Sequence, residues 1–467
     1  METSITSRIC GSGSARAQHR IAPLLIVFFG LSCSNAPPQQ QQHGQSQPDS
    51  QIAQPAGQAA AFPAAIGYGS SAKGGQGGRI IAVTNLHDNG PGSYRECVEA
   101  DGPRVCVFRV DGVIRFTGLP PIIRNPYLTI AGQTAPGAGI TLSHAGGMNG
   151  RTPLVIKGTH DVIVRHVRVR LDRAGGDRRA EDAITIENSR NVVIDHVSAS
   201  GARDENINGH GDNDRITISN SIFSYGVPRH DKCALLSSDP PGPQNVSFIA
   251  NICAHSGDRN PDANFPQGSC VEVINNQLYN AQSEFAEVWE SEGGTPISIV
   301  GNSFIAGPDT RPFSVGIEND RTGSIARAQI YEAGNRFIGS FVHISARATQ
   351  TRVAAPPCKL TIDPLPAETA YETVLGRAGA YPRDAIDGQV VAEIRDRSGQ
   401  IGYLPRNLAQ ANGADPYGDA DEDGMDDLWE RKSGADPVRF DAWEDPDGDG
   451  ISNLEAFLAF REQQLRP

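Results

Sequence analysis

Between about Phe62 and Phe341 the chain keeps returning to one pattern. The segments NVVIDHVSAS, RITISNSIFS, NVSFIANICA, CVEVINNQLYN and PISIVGNSFI each carry a short β-branched run, a His or Asn, and a further apolar pair. Aligned on the polar position, the repeat falls at His166, His196, Asn220, Asn251, Asn276 and Asn302, in steps of 30, 24, 31, 25 and 26 residues. A period of this size, with two or three short strands per unit and little helical periodicity, marks a solenoid whose repeats bury their apolar faces only by stacking. The pattern predicts an all-β fold, a right-handed parallel β-helix with like residues forming ladders along the stack. A chain of 467 residues exceeds one ordinary globular core but suits an elongated one, and 51 glycines and 32 prolines suit short strands and turns. The recurrent His and Asn read as turn residues that satisfy backbone groups of adjacent coils rather than as a catalytic row.

The flanks of the repeat are different material. Residues 1–33 read as an export signal: Arg8, Arg16, His19 and Arg20 precede an apolar run, Ile21 to Leu31, too short to span a membrane. The run ends in GLSC at Cys33, which resembles a lipoprotein cleavage box, so simple secretion and a lipid anchor through Cys33 both stay open. Residues 34–61 are a Pro/Gln-rich spacer with nothing to form a core. The solenoid is expected over 62–345, an extension with helices on either side of a Tyr-Pro break over 346–412, and an acidic tail over 413–467. Export permits disulfides: Cys97 and Cys106 flank a Gly-Pro turn and can pair as a hairpin, while the pairing of Cys233, Cys253, Cys270 and Cys358 stays open. A net charge of −13 argues against nucleic acid as a partner, whereas an acidic substrate remains possible if calcium neutralises the contact. No transmembrane span is expected, and a monomer is.

Three polar clusters fall on successive repeats. GGDRRAEDAITIENS brings Asp182 to the start of a strand, SGARDENINGHGDND brings Asp204, Glu205 and Asn208, and YGVPRHDKCALLSSD with AHSGDRNPDA brings His230, Lys232 and Arg259. Coils stack about 4.8 Å apart, so residues distant in sequence can share one cleft on the flank. Carboxylates with an amide oxygen are hard ligands suited to calcium. A lysine and an arginine beside them make sense if the ligand is an anion bridging the metal and the cations.

Over about residues 62–410 the chain resembles polysaccharide lyase family 1, the pectate lyases. The resemblance rests on GGRIIAVTNLHDNGPGSYRECVE, LTIAGQTAPGAGI, DAITIENSRNVVIDHVSAS, DE, HDK and HSGDRNPD, in that order. It implies a parallel β-helix that cleaves pectate by β-elimination with calcium. It further implies Asp182, Asp204, Glu205 and Asn208 as calcium ligands, His230 and Lys232 on the substrate, and Arg259 as the base. Three features depart from the family pattern: Asp262, with Asn264 beyond it, stands where further arginines are frequent; Asn208 is neutral where an acid would bind calcium harder; and Ala180 stands where a second acid is found. A polygalacturonase-type hydrolase and a non-catalytic binder of acidic glycans are the alternatives.

In the tail, DADEDGMDDLWE fits the EF-hand pattern D-x-D-x-D-G-x5-E, with Asp419, Asp421, Asp423, Asp427 and Glu430 as calcium ligands and Gly424 at the sharp turn. DPDGDGISNLEA begins the same way at Asp445, Asp447 and Asp449, but its Glu455 comes one residue early. The pair resembles extracellular calcium repeats of dockerin or thrombospondin type-3 kind. The tail is expected to be a structural module, separable from the solenoid and available for docking to a partner.

Overall fold

The computed structural model describes residues 61–145, 151–171, 181–228, 230–403, 408 and 410–466. The expectations for the export signal, for the spacer up to residue 60 and for Ala180 lie outside them. Three parallel sheets run the length of a right-handed solenoid. The first sheet has ten strands, from Arg79–Val83 to Gln329–Ala333. The second has nine, from Ile122–Ile123 to Val342–Ile344, and the third nine, from Gly112–Phe116 to Arg336–Ile338. A typical coil takes one strand from each, as in His160–Arg165, Val167–Arg170 and Ile184–Glu187.

The interior is built from aligned aliphatic rows. Val162, Val192, Ile216, Val246, Val271 and Ile297 are register partners, and so are Val164, Ile194, Ile218, Phe248, Val273 and Ile299. All are buried. Each such side chain contributes roughly 1.5–3 kcal/mol on burial, so the rows are the main cohesive term between coils.

The corner between the first and third sheets refines the sequence alignment. A single residue turns the chain there in the left-handed region: His166, His196, Asn220, Ala250 and Asn275 have φ of 47–57°, and Gly301 has φ 66°. The asparagine ladder is the next residue along: Asn251, Asn276, Asn302 and Asn335. The amide of each of the first three donates to the side-chain oxygen of the next, at 2.8–3.0 Å. Aligning His166, His196 and Asn220 with Asn251, Asn276 and Asn302 therefore joined two adjacent positions, because both favour Asn for different reasons. One needs a residue that tolerates positive φ, and the other needs an amide between buried backbone groups.

What covers each sheet decides where chemistry can sit. The outward Ile163 and Val193 of the first sheet lie under Ala61, Phe62, Ala65 and Ala72. The third sheet is covered by helices α3 (Ala367–Arg377) and α4 (Ala385–Asp396), which follow the short helices α1 (Tyr94–Glu99) and α2 (Ala346–Gln350). Val374, Leu375, Val390 and Ile394 pack there on Ile222, Ile252 and Tyr279. Helix α4 is further held by Arg170, which pairs with Asp384 at 3.0 Å and Asp387 at 2.8 Å in full burial. The second sheet keeps a polar outer row.

The tail is not a separate body. Helices α5 (Asp427–Ser433) and α6 (Asn453–Leu465) form a core with Val105, Val107 and Ala131 on the outside of the first sheet. Cys97–Cys106 joins helix α1 to a strand rather than closing a hairpin, because the chain ahead of the Gly102-Pro103 turn is helical. The other two disulfides are Cys233–Cys253, inside the solenoid, and Cys270–Cys358, which ties the extension to the first sheet.

Replacing Asn276 with alanine leaves the Asn251 amide and the Phe248 carbonyl without their side-chain partner. A loss of roughly 2–4 kcal/mol is expected, since two buried polar groups become unsatisfied. A drop in thermal midpoint without loss of far-ultraviolet β signal checks it.

Candidate active site

Parallel register carries the sequence clusters onto one patch of the second sheet. Thr185, Asn208, Leu235, Asp262, Glu287 and Glu318 are successive partners along one outward row. Glu205, Lys232 and Asp258 form a second row at its edge. Asp182, Asp204 and Glu205 each offer an oxygen within 4.8 Å of the others. Asp182 is largely buried. It accepts from Thr185 Oγ1 at 2.7 Å, from Asn208 Nδ2 at 2.9 Å and from the Glu205 amide at 3.3 Å. Asn208 Oδ1 is buried with no partner.

Arg259 occupies a left-handed position, φ 53°, where a non-glycine residue is costly and has to be held by its surroundings. Its carbonyl accepts from the Ala234 amide at 2.9 Å, and its own amide donates to Glu287 Oε1 at 3.0 Å. This fixes the guanidinium over the carboxylates: Nη1 pairs with Glu205 and Nε lies 3.5 Å from Asp262. Lys232 Nζ pairs with Asp258. His230 is exposed and lies 3.4 Å from Asp204 Oδ1, against a carboxylate of the cluster.

The electrostatics are unbalanced. Burial, then Asp182 and Asp204, push Glu205 up to about 8 despite its pairing with Arg259. Burial also raises Asp182, with Asp204 adding to it. Burial and then Glu287 push Asp262 well up, while burial and then Asp258 push Glu287 to about 7. Burial alone would make Arg259 easier to deprotonate, but Asp262, Glu205 and Glu287 outweigh it and raise it. In this arrangement Arg259 is a cation serving carboxylates. Glu287, with Asp258 and Glu284, forms an acidic group that sequence reasoning passed over. Glu287 is flanked by the core residues Ala286 and Val288, so it has no regular alternation to mark it, and only the register with Asp262 gives it meaning.

In the tail, Asp419, Asp421 and Asp423 converge, and Asp423, Glu430 and Asp441 converge beside them. Asp427 is in neither triad; its Oδ1 accepts from the Ala420 amide at 2.9 Å, and its charge still bears on Asp421 and Glu430. Asp445, Asp447 and Asp449 are close together but exposed.

By fold, the chain is a right-handed parallel β-helix of the kind seen in the crystal structure of jun a 1, the major allergen from cedar pollen. The two share 22% identity with a TM-score of 0.51, over 68% of this chain and 92% of that one. The family is shown by sequence. The pectate lyase family profile matches residues 53–380. A probable pectate lyase C of Aspergillus flavus is 32% identical over 419 residues, covering 85% of this chain and 93% of its own length. One from Emericella nidulans is 30% identical over 429 residues, covering 85% and 91%. The chain belongs to the pectate lyase family and is thus a polysaccharide lyase.

A folded group with a raised carboxyl pKa binds protons that the unfolded chain has released, so stability falls as pH rises through that interval. For Glu205 and Glu287 the interval runs from 4.5 to about 8 and about 7. In chelator the thermal midpoint is therefore expected to rise as pH is lowered from about 8 towards 5, and Glu205→Gln to flatten the rise. Calorimetry across that range decides the matter; a midpoint that falls would contradict the charge crowding described here.

Proposed function

We propose that this chain is a secreted, calcium-dependent lyase that cleaves α-1,4-linked galacturonan by β-elimination. The observation that carries this reading is the meeting, on one open sheet, of the Asp182, Asp204 and Glu205 carboxylates with Lys232 and Arg259. The relatives named pectate lyase C support the substrate class. Calcium suits the donor set: three crowded carboxylates, one pushed up to about 8, and a buried Asn208 oxygen without a partner. Asp182, Asp204, Glu205 and Asn208 would hold it, where it supplies positive charge opposite the substrate's C6 carboxylate.

The chain's own residues do the rest. The C5 proton of galacturonate lies alpha to that carboxylate, so its loss builds negative charge on the carboxylate oxygens. Lys232 stabilises that charge once its ammonium turns from Asp258 to the substrate. Arg259 takes the C5 proton, the C5–H electron pair becomes the C4–C5 double bond, and the C4–O bond breaks. The leaving oxygen is protonated by solvent. Arginine is ordinarily protonated throughout. Its use as a base requires that the hold of Asp262, Glu205 and Glu287 on its proton be relieved, so that burial, Lys232 and a bound cation would favour the neutral form. Asp262 orients the guanidinium through Nε. His230, at the exposed rim beside Asp204, meets the sugar chain.

Arg259→Lys is expected to lower turnover on polygalacturonate by orders of magnitude while the fold persists. The ultraviolet absorbance of the 4,5-unsaturated product checks it, since hydrolysis gives no such product. Near-parental turnover would remove Arg259 from the role of base. Asp182→Asn is expected to raise the calcium needed for half-maximal rate by about tenfold or more, because a charged ligand to a hard cation is lost. Rates indifferent to this change and to chelator would take calcium out of the reaction.

A further inference from the structure

The tail carries a second set of carboxylates, far from the open sheet, whose environment makes no sense without a cation. Asp423 and Glu430 are fully buried and Asp441 nearly so. Both oxygens of Glu430, both of Asp421, and one each of Asp419 and Asp441 are buried without a hydrogen-bond partner. Among the described residues no lysine or arginine pairs with Glu430 or Asp421, whereas Arg109 lies 3.5 Å from Asp419 and Arg439 3.3 Å from Asp441. A buried carboxylate without a partner costs several kcal/mol, and several facing one another cost more. Protonation is a partial remedy, because one shared proton still leaves other carboxylates of the cluster charged and close together. Asp423 joins two triads, one with Asp419 and Asp421 and one with Glu430 and Asp441, each with oxygens within 4.8 Å of one another. A hard divalent cation at Asp423 can therefore draw on both, and an all-oxygen donor set selects calcium over softer metals.

We propose that Asp419, Asp421, Asp423, Glu430 and Asp441 hold one calcium ion, and that the loaded site fastens the tail onto the first coils of the solenoid. Asp441 lies outside the twelve-residue loop and closes the site from the segment leading to helix α6. Its Oδ2 accepts from the Asp436 amide at 3.0 Å, its amide donates to Asp423 Oδ2 at 3.3 Å, and its carbonyl accepts from Asn453 Nδ2 at 3.0 Å. Asp441 is thus braced by helix α6, with its free oxygen beside Asp423 and Glu430.

The loop is also in direct contact with the solenoid. Gly424 has φ 89°, and a side chain there would meet Ile80 at 3.0 Å and Val107 at 3.2 Å. Met425 follows it, fully buried in the shared core. The Tyr417 hydroxyl donates to the Gly424 carbonyl at 2.8 Å, and Arg109 stacks 4.4 Å over the Tyr417 ring. Helix α6 adds Leu454, Phe457 and Leu458, and Glu462 pairs with Arg165 at 2.6 Å. Without the cation, like charges must separate, and the backbone that would move is the backbone resting on Ile80 and Val107.

The neighbouring loop provides an internal contrast. Asp445, Asp447 and Asp449 are exposed and already accept from the amides of Gly448, Gly450, Asp449 and Ile451 at 2.8–3.2 Å. Glu455 is taken up in the capping box of helix α6 with Ser452.

The test uses the full chain with calcium alone as the probe. Calorimetric titration counts the sites, and limited proteolysis in calcium or EGTA, mapped by mass, reports the tail. In calcium, residues 413–466 should resist cleavage; in EGTA they should be cut first while the solenoid survives. Glu430→Gln and Asp441→Asn should each raise by about tenfold or more the calcium needed for protection. Asp447→Asn should leave it unchanged, and so should Asp182→Asn, which separates this site from the one proposed on the open sheet. Parental affinity in both Glu430→Gln and Asp441→Asn would overturn the site. A tail that stays protected in EGTA would overturn the fastening, whatever the titration shows.

Discussion

The structure depends on the stacking of parallel coils. Each strand hydrogen-bonds to the one a full turn away, about 4.8 Å distant, and this turns a sequence separation of 20–30 residues into contact. Glu205, Lys232 and Asp258 become neighbours on one edge of the sheet by this means alone. The buried aliphatic rows hold the stack together, and the asparagine ladder keeps the corner closed by giving every buried amide there an acceptor. A slip of one residue would put the aliphatic row outside and the polar row within.

Given that stack, covering decides function. A parallel strand with both faces hydrophobic must be covered on its outer side, and the first and third sheets are: by residues 61–72 and the tail, and by helices α3 and α4. The second sheet alternates apolar and polar side chains, so its outer face can meet water and a long polymer. Cohesive attachments occupy two flanks, and the remaining one carries the open row of ionisable groups.

Much of this was legible in the sequence. The period and its β-branched runs gave the solenoid, and in the structure Tyr381-Pro382 lies between helices α3 and α4. Asp182, Glu205, Lys232 and Arg259 could be gathered because coil stacking is predictable once the period is known. What stayed hidden depends on register or on packing between distant segments. The left-handed corner and the asparagine ladder differ by one residue, which no spacing argument resolves when Asn suits both. Glu287 gains importance only as the partner of Asp262. Asp441 lies outside any loop motif and enters its cluster through the fold of the tail, while Asp427, inside the motif, is used by the Ala420 amide instead. The docking of the tail on Val105 and Val107 was invisible because those outward valines read simply as strand residues.

The two acidic sites pose the same electrostatic problem and differ in what solves it. In the tail, Glu430 is pushed up to about 8 by burial and then by Asp423 and Asp421, and no lysine or arginine pairs with it among the described residues. Under the proposal, a cation there would hold structure. On the open sheet Glu205 reaches the same range, but its partner is the Arg259 guanidinium, held in place by its own backbone and by Asp262. A carboxylate that serves either an arginine or a metal links the two. As proposed, Asp182, Asp204 and Glu205 would hold a cation, and Glu205 engaged there would no longer favour the arginine cation, leaving one fewer anion to hold the Arg259 proton. On the proposed reading, the ion pair between Glu205 and Arg259 is the resting state of the site, and the crowding of Asp182, Asp204 and Glu205 is what makes it easy to break.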